Sequence, residues 1–300
     1  MGSIKGKIIR GVGGFYYVHA QDGQVYECRA KGIFRKENVK PLPGDDVEMS
    51  VISSAELTGN VDRILPRKNM LIRPAAANVD QALVIFAAAS PKPNLNLLDR
   101  FLILMRMQEI PVQICFNKTD LVDKKDCDEL KQTYESCGCG VYFVSIEQQT
   151  GLKEVREMLE GKTTVVAGPS GVGKSSMTNF LLNRDQMEVG SVSERIDRGR
   201  HTTRHTELFA IGPSTYFLDT PGFSSLYLPD MTPEALRELY PEFAPYEGTC
   251  RFQGCMHISE PGCTVKEALA QGQISAGRYK NYCLLAEELK QRKPKYNHKA

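Results

Sequence analysis

The 300-residue sequence has no apolar run long enough to cross a bilayer, which takes about 20 residues. Its longest such run, Ala82–Ala89, has only the length of a strand. The first residues, Met1–Arg10, carry lysines and no apolar core, so a signal peptide is not expected. There is no internal repeat and no long low-complexity segment. Neither sign of charge is in large excess: the net charge is +2, and bulk charge alone does not argue for a nucleic-acid partner. Nine cysteines is an odd number in a chain without export signals, which argues against a disulfide framework and for reduced thiols. These absences lead us to expect a cytoplasmic protein with no membrane part. Apolar and charged fractions of 41% and 25% are those of a soluble globular chain. The length allows two or three domains of about 100–200 residues each.

Residues 4–66 read as strands broken by turn signals. Gly11, Gly13 and Gly14 suggest one bulged or bent strand over Lys5–His19. Asp22-Gly23 marks a tight hairpin turn, and Pro43-Gly44-Asp45-Asp46 another, before the alternating run Val47, Met49, Val51. Several short strands without helical period suggest a small closed barrel. A five-stranded OB-type barrel fits the length, though an SH3-like barrel would look similar. From about Leu71 apolar strands (Gln81–Ala89, Pro111–Phe116, Gly140–Ser145, Lys162–Ala167, Tyr216–Leu218) alternate with amphipathic helices (Leu95–Gln108, Glu129–Ser136, Gly151–Leu159, Ser175–Leu182). That alternation predicts a parallel sheet with crossover helices. After Gly222 the pattern is mostly helical, over Pro233–Tyr240, Thr264–Gln271 and Ala276–Gln291. The expected architecture is a barrel at 1–69, an α/β P-loop unit at 70–225 and a helical, metal-binding unit at 226–300. The tail Leu289–Ala300 bears Lys290, Arg292, Lys293, Lys295 and Lys299 and is expected to fray.

Gly168-Pro169-Ser170-Gly171-Val172-Gly173-Lys174-Ser175 matches G-x-x-x-x-G-K-[ST] between an apolar strand and a helix, the context this phosphate-binding motif requires. Glycines let backbone N–H groups turn around phosphates, and the helix N-terminus adds a favourable dipole. Gly168, Ser170, Gly171, Val172, Gly173, Lys174, Ser175 and Ser176 are therefore expected at the nucleotide. Lys174 would reach the β- and γ-phosphates and Ser175 would ligate Mg²⁺. The base is not specified by this loop. Asn117-Lys118-Thr119-Asp120, after a strand, resembles the N-K-x-D guanine motif of the GTPase superfamily. That resemblance has Asp120 accept from two guanine donors that adenine does not offer together, so ATP would leave a desolvated carboxylate unpaired. Asp219-Thr220-Pro221-Gly222 matches D-x-x-G, where Asp219 holds Mg²⁺ through water and the Gly222 N–H senses the γ-phosphate. Asp197–Arg204, with Arg198, Arg200 and Arg204, stands where a first switch loop belongs; Thr203, or else Thr202, would close over Mg²⁺. Ser145 resembles the S-A-x loop behind the guanine ring, with Ile146 in place of the usual alanine. Standard GTPases run P-loop, switch threonine, D-x-x-G, N-K-x-D, S-A-x. This chain runs Asn117, Ser145, Gly168, Thr203, Asp219, an order that a circular permutation produces. The D-x-x-G stretch then leads straight into the C-terminal unit.

Cys250, Cys255, His257 and Cys263 form C-x4-C-x-H-x5-C, a Cys₃His set suited to one structural Zn²⁺ with no open position. The other reading is three buried cysteines and an unrelated histidine. The turn residues Gly248, Gly254, Pro261 and Gly262 favour the metal. Cys137 and Cys139 lack histidine neighbours and read as non-ligands; Cys28, Cys115, Cys127 and Cys283 are isolated.

With Leu42-Pro43-Gly44-Asp45, Gly199–Thr203 and this cysteine cluster, the chain resembles the circularly permuted GTPases and, more narrowly, the RsgA (YjeQ/YloQ) family of ribosome small-subunit-dependent GTPases. The resemblance covers nearly the whole chain. It implies GTP and GDP with Mg²⁺ as ligands, a zinc domain, and a late maturation factor that binds the small (30S) ribosomal subunit and its rRNA. It also implies hydrolysis that is weak alone, stimulated by the subunit and used to time release. A monomer is expected. Phe223 stands where Ras-like enzymes keep a water-orienting glutamine, so His201 is the candidate for that role; the other reading is a histidine that packs or touches RNA. His201, Thr203 and Lys174 are the expected catalytic set. In residues 1–68, eleven Lys and Arg face eight Asp and Glu. Lys31, Arg35, Lys36, Lys40, Arg63, Arg67 and Lys68 lie among Phe15, Tyr16, Tyr17, Tyr26 and Phe34, as on an RNA-binding OB face. Two alternatives fit the same residues: a permuted GTPase serving the large subunit or another ribonucleoprotein, and a GTP-sensing module with little turnover.

Overall fold

A computed structural model of the chain describes residues 3–32, 34, 39–72, 74–188, 207–219 and 226–292, with backbone alone at 183–188 and 219. Strands β1 (Ser3–Val12), β2 (Phe15–Ala20), β3 (Val25–Ala30), β4 (Asp46–Ser53) and β5 (Thr58–Ile64) close into a barrel in the order β1-β2-β3-β5-β4. Every pairing is antiparallel except β3 with β5. This is the closure of an OB-type barrel, so the SH3-like alternative falls away. Ile8, Val18, Tyr26, Cys28, Val47, Met49 and Val61 fill its interior. The single bent strand expected over Lys5–His19 is in fact two. Gly13 and Gly14, at φ of +61° and +87°, make the turn between β1 and β2, and the bulge falls earlier, between Ile8 and Arg10. At the barrel's exit the buried Asp45 carboxylate accepts from the Leu42 N–H at 2.7 Å and from Arg67 Nε and Nη2 at 2.6 and 2.8 Å. That fork pins the Leu42–Asp45 turn to the departing chain, which then forms a two-residue ladder of β6 (Met70–Leu71) and β7 (Ala76–Ala77).

The central sheet follows as β8 (Gln81–Ala87), α1 (Leu95–Met107), β9 (Val112–Asn117), α2 (Lys124–Tyr134), β10 (Gly140–Phe143), α3 (Leu152–Leu159), β11 (Thr163–Ala167), α4 (Lys174–Glu188), β12 (Leu208–Ala210) and β13 (Tyr216–Asp219). Its order is β10-β9-β8-β11-β13-β12, parallel except for the edge strand β12. Strand β8 explains why continuous apolar runs mark such sheets. Leu83, Ile85 and Ala87 face the layer of α3 and α4, where Val155, Leu159, Met177 and Leu181 lie. Ala82, Val84 and Phe86 face the layer of α1 and α2, with Leu98, Phe101, Leu102 and Tyr134. Both faces are covered, so no position of the strand is polar except its first.

The C-terminal unit holds α5 (Pro233–Glu238), a 3₁₀ turn (Pro241–Tyr246), α6 (Thr264–Ala270) and α7 (Ala276–Gln291). Thr232 caps α5, accepting from the Ala235 N–H, with Pro233 in the first turn where no N–H is missed. Leu236, Tyr240, Phe243, Tyr282 and Leu285 make its core together with Ile103 of α1, so α1 serves two cores at once. Among the described residues no helix is long and apolar enough to cross a membrane.

Candidate functional site

The parallel strands all end on one edge of the sheet, and the chain reverses its direction of travel across the sheet between β8 and β11. Ligands of open α/β sheets bind at such a switch point. Four of the sequence motifs converge there. Read across the sheet, Ser145 follows β10, Asn117–Asp120 ends β9 and begins the next turn, Gly168–Gly173 follows β11, and Asp219 ends β13. The chain order is permuted, but the spatial neighbours are those a GTPase needs.

The P-loop conformation rests on two glycines. Gly168 sits at φ +144°, where a Cβ would collide with the Ile85 carbonyl of the adjacent strand. Gly173, at φ +98°, lies so close to the Asn117 amide that a Cβ would collide with it. Within the loop Lys174 Nζ donates to the Pro169 carbonyl at 2.6 Å. Helix α4 begins at Lys174, so the N-terminal amides of the helix face the loop.

Asn117 ties three loops together. It is buried, its Nδ2 donates to the Val172 carbonyl at 2.9 Å, and its Oδ1 accepts from the Ile146 N–H at 3.4 Å. Lys118 adopts a left-handed conformation, φ +63°, that sends its ammonium back over the phosphate loop to the carbonyls of Gly171, at 2.8 Å, and Ser90. Ser145, fully buried, donates from Oγ to Asp120 Oδ1 at 2.5 Å and accepts from the Gln148 N–H at 3.0 Å. Its hydroxyl thus orients the Asp120 carboxylate. The sequence pattern sets Ser145 behind the guanine ring and carries no sign of the Asn117 knot, which joins residues 55 apart in the chain. His201, Thr202 and Thr203, the arginines Arg198, Arg200 and Arg204, and Gly222 and Phe223 lie outside the described residues, as does the side chain of Asp219. Ser175 and Ser176 open α4 beside the loop.

The four cysteine-cluster residues are brought together. The ligand atoms of Cys250, Cys255, His257 and Cys263 all lie within 4.8 Å of one another. Cys250 and Cys263 sulfurs are 3.9 Å apart, and His257 Nδ1 is 3.6 and 3.4 Å from them. Bonds of about 2.3 Å to sulfur and 2.0 Å to nitrogen give tetrahedral edges of about 3.5–3.8 Å, so the donor set fits Zn²⁺. His257 Nε2 stands 3.3 Å from Glu247 Oε1, the outer carboxylate that fixes a ligating imidazole with Nδ1 facing inward. Cys255, His257 and Cys263 are buried in the C-terminal core, where the His257 ring meets Phe243 edge-on at 5.6 Å.

The barrel's basic and aromatic residues divide. Tyr26 and Phe34 are buried in the core and cannot stack on a base. Arg67 is spent on Asp45, Arg63 pairs with Glu48, Lys31 with Asp62 and Lys68 with Asp80. Phe15 and Tyr17 are half-buried under Arg29 and Arg10, at 5.0 and 4.2 Å from the guanidinium carbons. Arg35 and Lys36 lie outside the described residues.

Comparison with known proteins agrees with this geometry. The family model "RsgA GTPase" matches residues 64–229, and "RsgA N-terminal domain" matches residues 5–57. A curated relative from Agathobacter rectalis, "Small ribosomal subunit biogenesis GTPase RsgA", is 55% identical over 96% of this chain and 99% of its own. The crystal structure of YjeQ from Thermotoga maritima superimposes with a TM-score of 0.80 at 32% identity, covering 97% of this chain and all of the other. That of YloQ, described as a circularly permuted GTPase, does so at 0.78 and 37%, covering 98% of each. Motif order, sheet topology and these likenesses together place the chain in the RsgA GTPase family, as a GTP-hydrolysing enzyme built on a permuted sheet behind a five-stranded barrel.

Proposed function

We propose that the protein binds the small (30S) ribosomal subunit, assists its late maturation, and couples subunit-stimulated GTP hydrolysis to its own release. The observation that carries the reading is the knot at Asn117, which joins the base-reading loop, the Ser145 loop and the phosphate loop into one nucleotide-shaped edge. The curated relatives' shared role in small-subunit biogenesis supplies the partner. Asn117, Lys118 and Asp120, oriented by Ser145, read guanine. Gly168 and Ser170–Ser176 wrap the phosphates with Lys174. Ser175 and Thr203 hold Mg²⁺, Asp219 reaches it through water, the Gly222 N–H senses the γ-phosphate, and His201 orients the attacking water. Cys250, Cys255, His257 and Cys263 hold one structural Zn²⁺, which closes the C-terminal core. The three working units are 1–69, 70–225 and 226–300. The protein acts as a monomer in the cytoplasm, and contacts rRNA through the barrel and the C-terminal unit.

GTP turnover with purified small and large subunits tests this directly. Stimulation by the small subunit alone is expected, and it should fall steeply as salt rises because phosphate contacts release counterions. Stimulation by the large subunit only, or by neither, would overturn the proposal. Within the same assay His201→Ala should lose stimulated turnover while keeping GTP affinity.

A further inference from the structure

The chain passes from the GTPase core to the C-terminal core within three residues. Leu226 packs against the sheet-side cluster, Leu228 is buried in the C-terminal cluster, and Tyr227 between them is 80% exposed. Residues 226–229 belong to no helix or strand, so their carbonyls have no partners in a regular ladder. Two arginines supply them. Arg100 of α1 donates to the Leu226 carbonyl at 3.3 Å, and Arg292, at the end of α7, donates to the carbonyls of Leu228 and Pro229 at 2.6 and 3.2 Å. Both arginines share one carboxylate, Glu288 of α7. Arg100 bonds it through both terminal nitrogens and Arg292 at 2.5 Å. These bonds, Arg100's first, hold the Glu288 carboxyl below its usual range.

We propose that Arg100, Glu288 and Arg292 form a positioning clamp that fixes where the chain leaving the D-x-x-G stretch enters the C-terminal unit, so that a subunit docked on that unit acts on GTP turnover through them. The inference rests on the function proposed above. The clamp joins three segments that share no sheet or helix: the GTPase helix α1, the crossing just downstream of Gly222, and the last helix of the C-terminal unit. Arg100 grips both oxygens of the Glu288 carboxylate through two nitrogens while still donating to the Leu226 carbonyl, a planar fork that the single nitrogen of an ammonium cannot reproduce. The three side chains are 16–30% exposed, so the clamp can rearrange without opening a core. The neighbouring link between α1 and α7, Asp99 to Arg278, has no such freedom because both side chains are at most 2% exposed. These residues touch neither nucleotide loop, and their action is on the position of the crossing.

The test uses the full-length, zinc-loaded protein and the variants Arg100→Lys and Glu288→Gln. Four quantities are read: basal turnover, affinity for GTP, affinity for small subunits with a non-hydrolysable GTP analogue, and small-subunit-stimulated kcat. The first three should stay within about twofold of the parent while stimulated kcat falls about tenfold, with unchanged melting temperature. The double variant should be no worse than either single one, since both break one link. Variants stimulated as well as the parent would overturn the clamp and leave the proposed function standing. So would a loss of stimulation that merely tracks a loss of subunit affinity or of melting temperature. A parent protein that the small subunit does not stimulate would overturn both.

Discussion

The barrel leans on the edge of the GTPase sheet and the C-terminal unit on its helices α1 and α2, and they do so with different chemistry. The barrel's contacts are polar, and apart from the buried His19–Tyr216 bond they are partly exposed. His19 Nδ1 lies 2.8 Å from the Tyr216 hydroxyl, Lys7 sits over the Tyr216 ring at 5.5 Å, and Arg10 pairs with Glu207 at 3.5 Å. A cavity of about 540 Å³, lined by Lys5, Lys7, His19, Lys68, Asp80 and Tyr216 among others, opens along this seam. The C-terminal seam is charged, and inward of the partly exposed Arg100–Glu288 pair it is buried. Arg278 of α7 reaches Asp99 of α1 at 2.5 Å and Glu242 at 2.8 Å, and Asp99 also accepts from Asn281 at 2.7 Å and Tyr134 at 3.1 Å. Burial pushes the Asp99 carboxyl up, and Arg278 with its other partners opposes that. Buried ions repay their desolvation only when every partner is present. The difference teaches that the buried Asp99–Arg278–Glu242 network of the C-terminal seam holds or fails as a unit, whereas the barrel seam can be loosened one contact at a time.

The strongest way to break that contrast is to strip the metal. If Zn²⁺ sits on the Cys₃His cluster, a tight chelator removes the tether from a core that already contains Cys255 and Cys263. Structural zinc sites contribute about 10 kcal/mol or more to folding, so the C-terminal unit should melt while the barrel's transition stays in place. Calorimetry with and without chelator, alongside metal analysis, reads the outcome. One zinc per chain and loss of the C-terminal transition are expected. A metal-free preparation with the same thermogram would refute it.

Arg278→Ala comes next. It leaves two carboxylates, Asp99 and Glu242, buried without their cation, and breaking a buried pair from one side costs about 3–5 kcal/mol. Urea unfolding should show that loss, and a change below about 1 kcal/mol would mean that water reaches the network and that the two seams are not so different.

How visible these features were in the sequence follows from how local they are. The phosphate loop is contiguous, so strand, glycines and helix start could be read together. The cysteine cluster spans fourteen residues and was read the same way. The start of α2 was missed by five residues because its first turn, Lys124-Lys125-Asp126, is all charge and shows no apolar period. The capping box of Asp123 with Asp126 marks that start and was the signal to look for. Strand β12 escaped because three residues pairing at an antiparallel edge carry too short a pattern. The charged seam was out of reach for another reason: Arg278 and Asp99 are 179 residues apart, and nothing in the pattern near either one announces burial. Buried charge depends on partners that only the fold brings together.

Tyr216→Phe probes the barrel side. It deletes one hydroxyl and leaves the ring under Lys7, so only the bond to His19 is lost. A single such bond is worth about 1 kcal/mol, and GTP affinity should not change, since Tyr216 lies at the opposite end of β13 from Asp219. A loss as large as that of Arg278→Ala would show that the barrel seam is as cooperative as the other.

The smallest effect expected, and the one that separates the seams most cleanly, is in their response to acid. Burial lowers the pKa of His19, with Asp22 pulling weakly the other way. In the folded protein the imidazole therefore stays neutral to a lower pH than in the unfolded chain, whose histidines titrate near 6.5. As pH falls through that value the unfolded state takes the proton first, so stability declines; above it the two states bind the same number and the contribution is flat. One proton sets an upper slope of about 1.4 kcal/mol per pH unit, and the decline begins as pH falls through about 6.5. Unfolding free energy measured from pH 7.5 to 5.5 should show this decline in the parent and lose it in His19→Gln, which keeps a polar side chain at the position but cannot titrate. Equal slopes in the two proteins would mean that the His19 ring is hydrated in the folded state, and the barrel seam would then be looser than its 2.8 Å bond to Tyr216 implies.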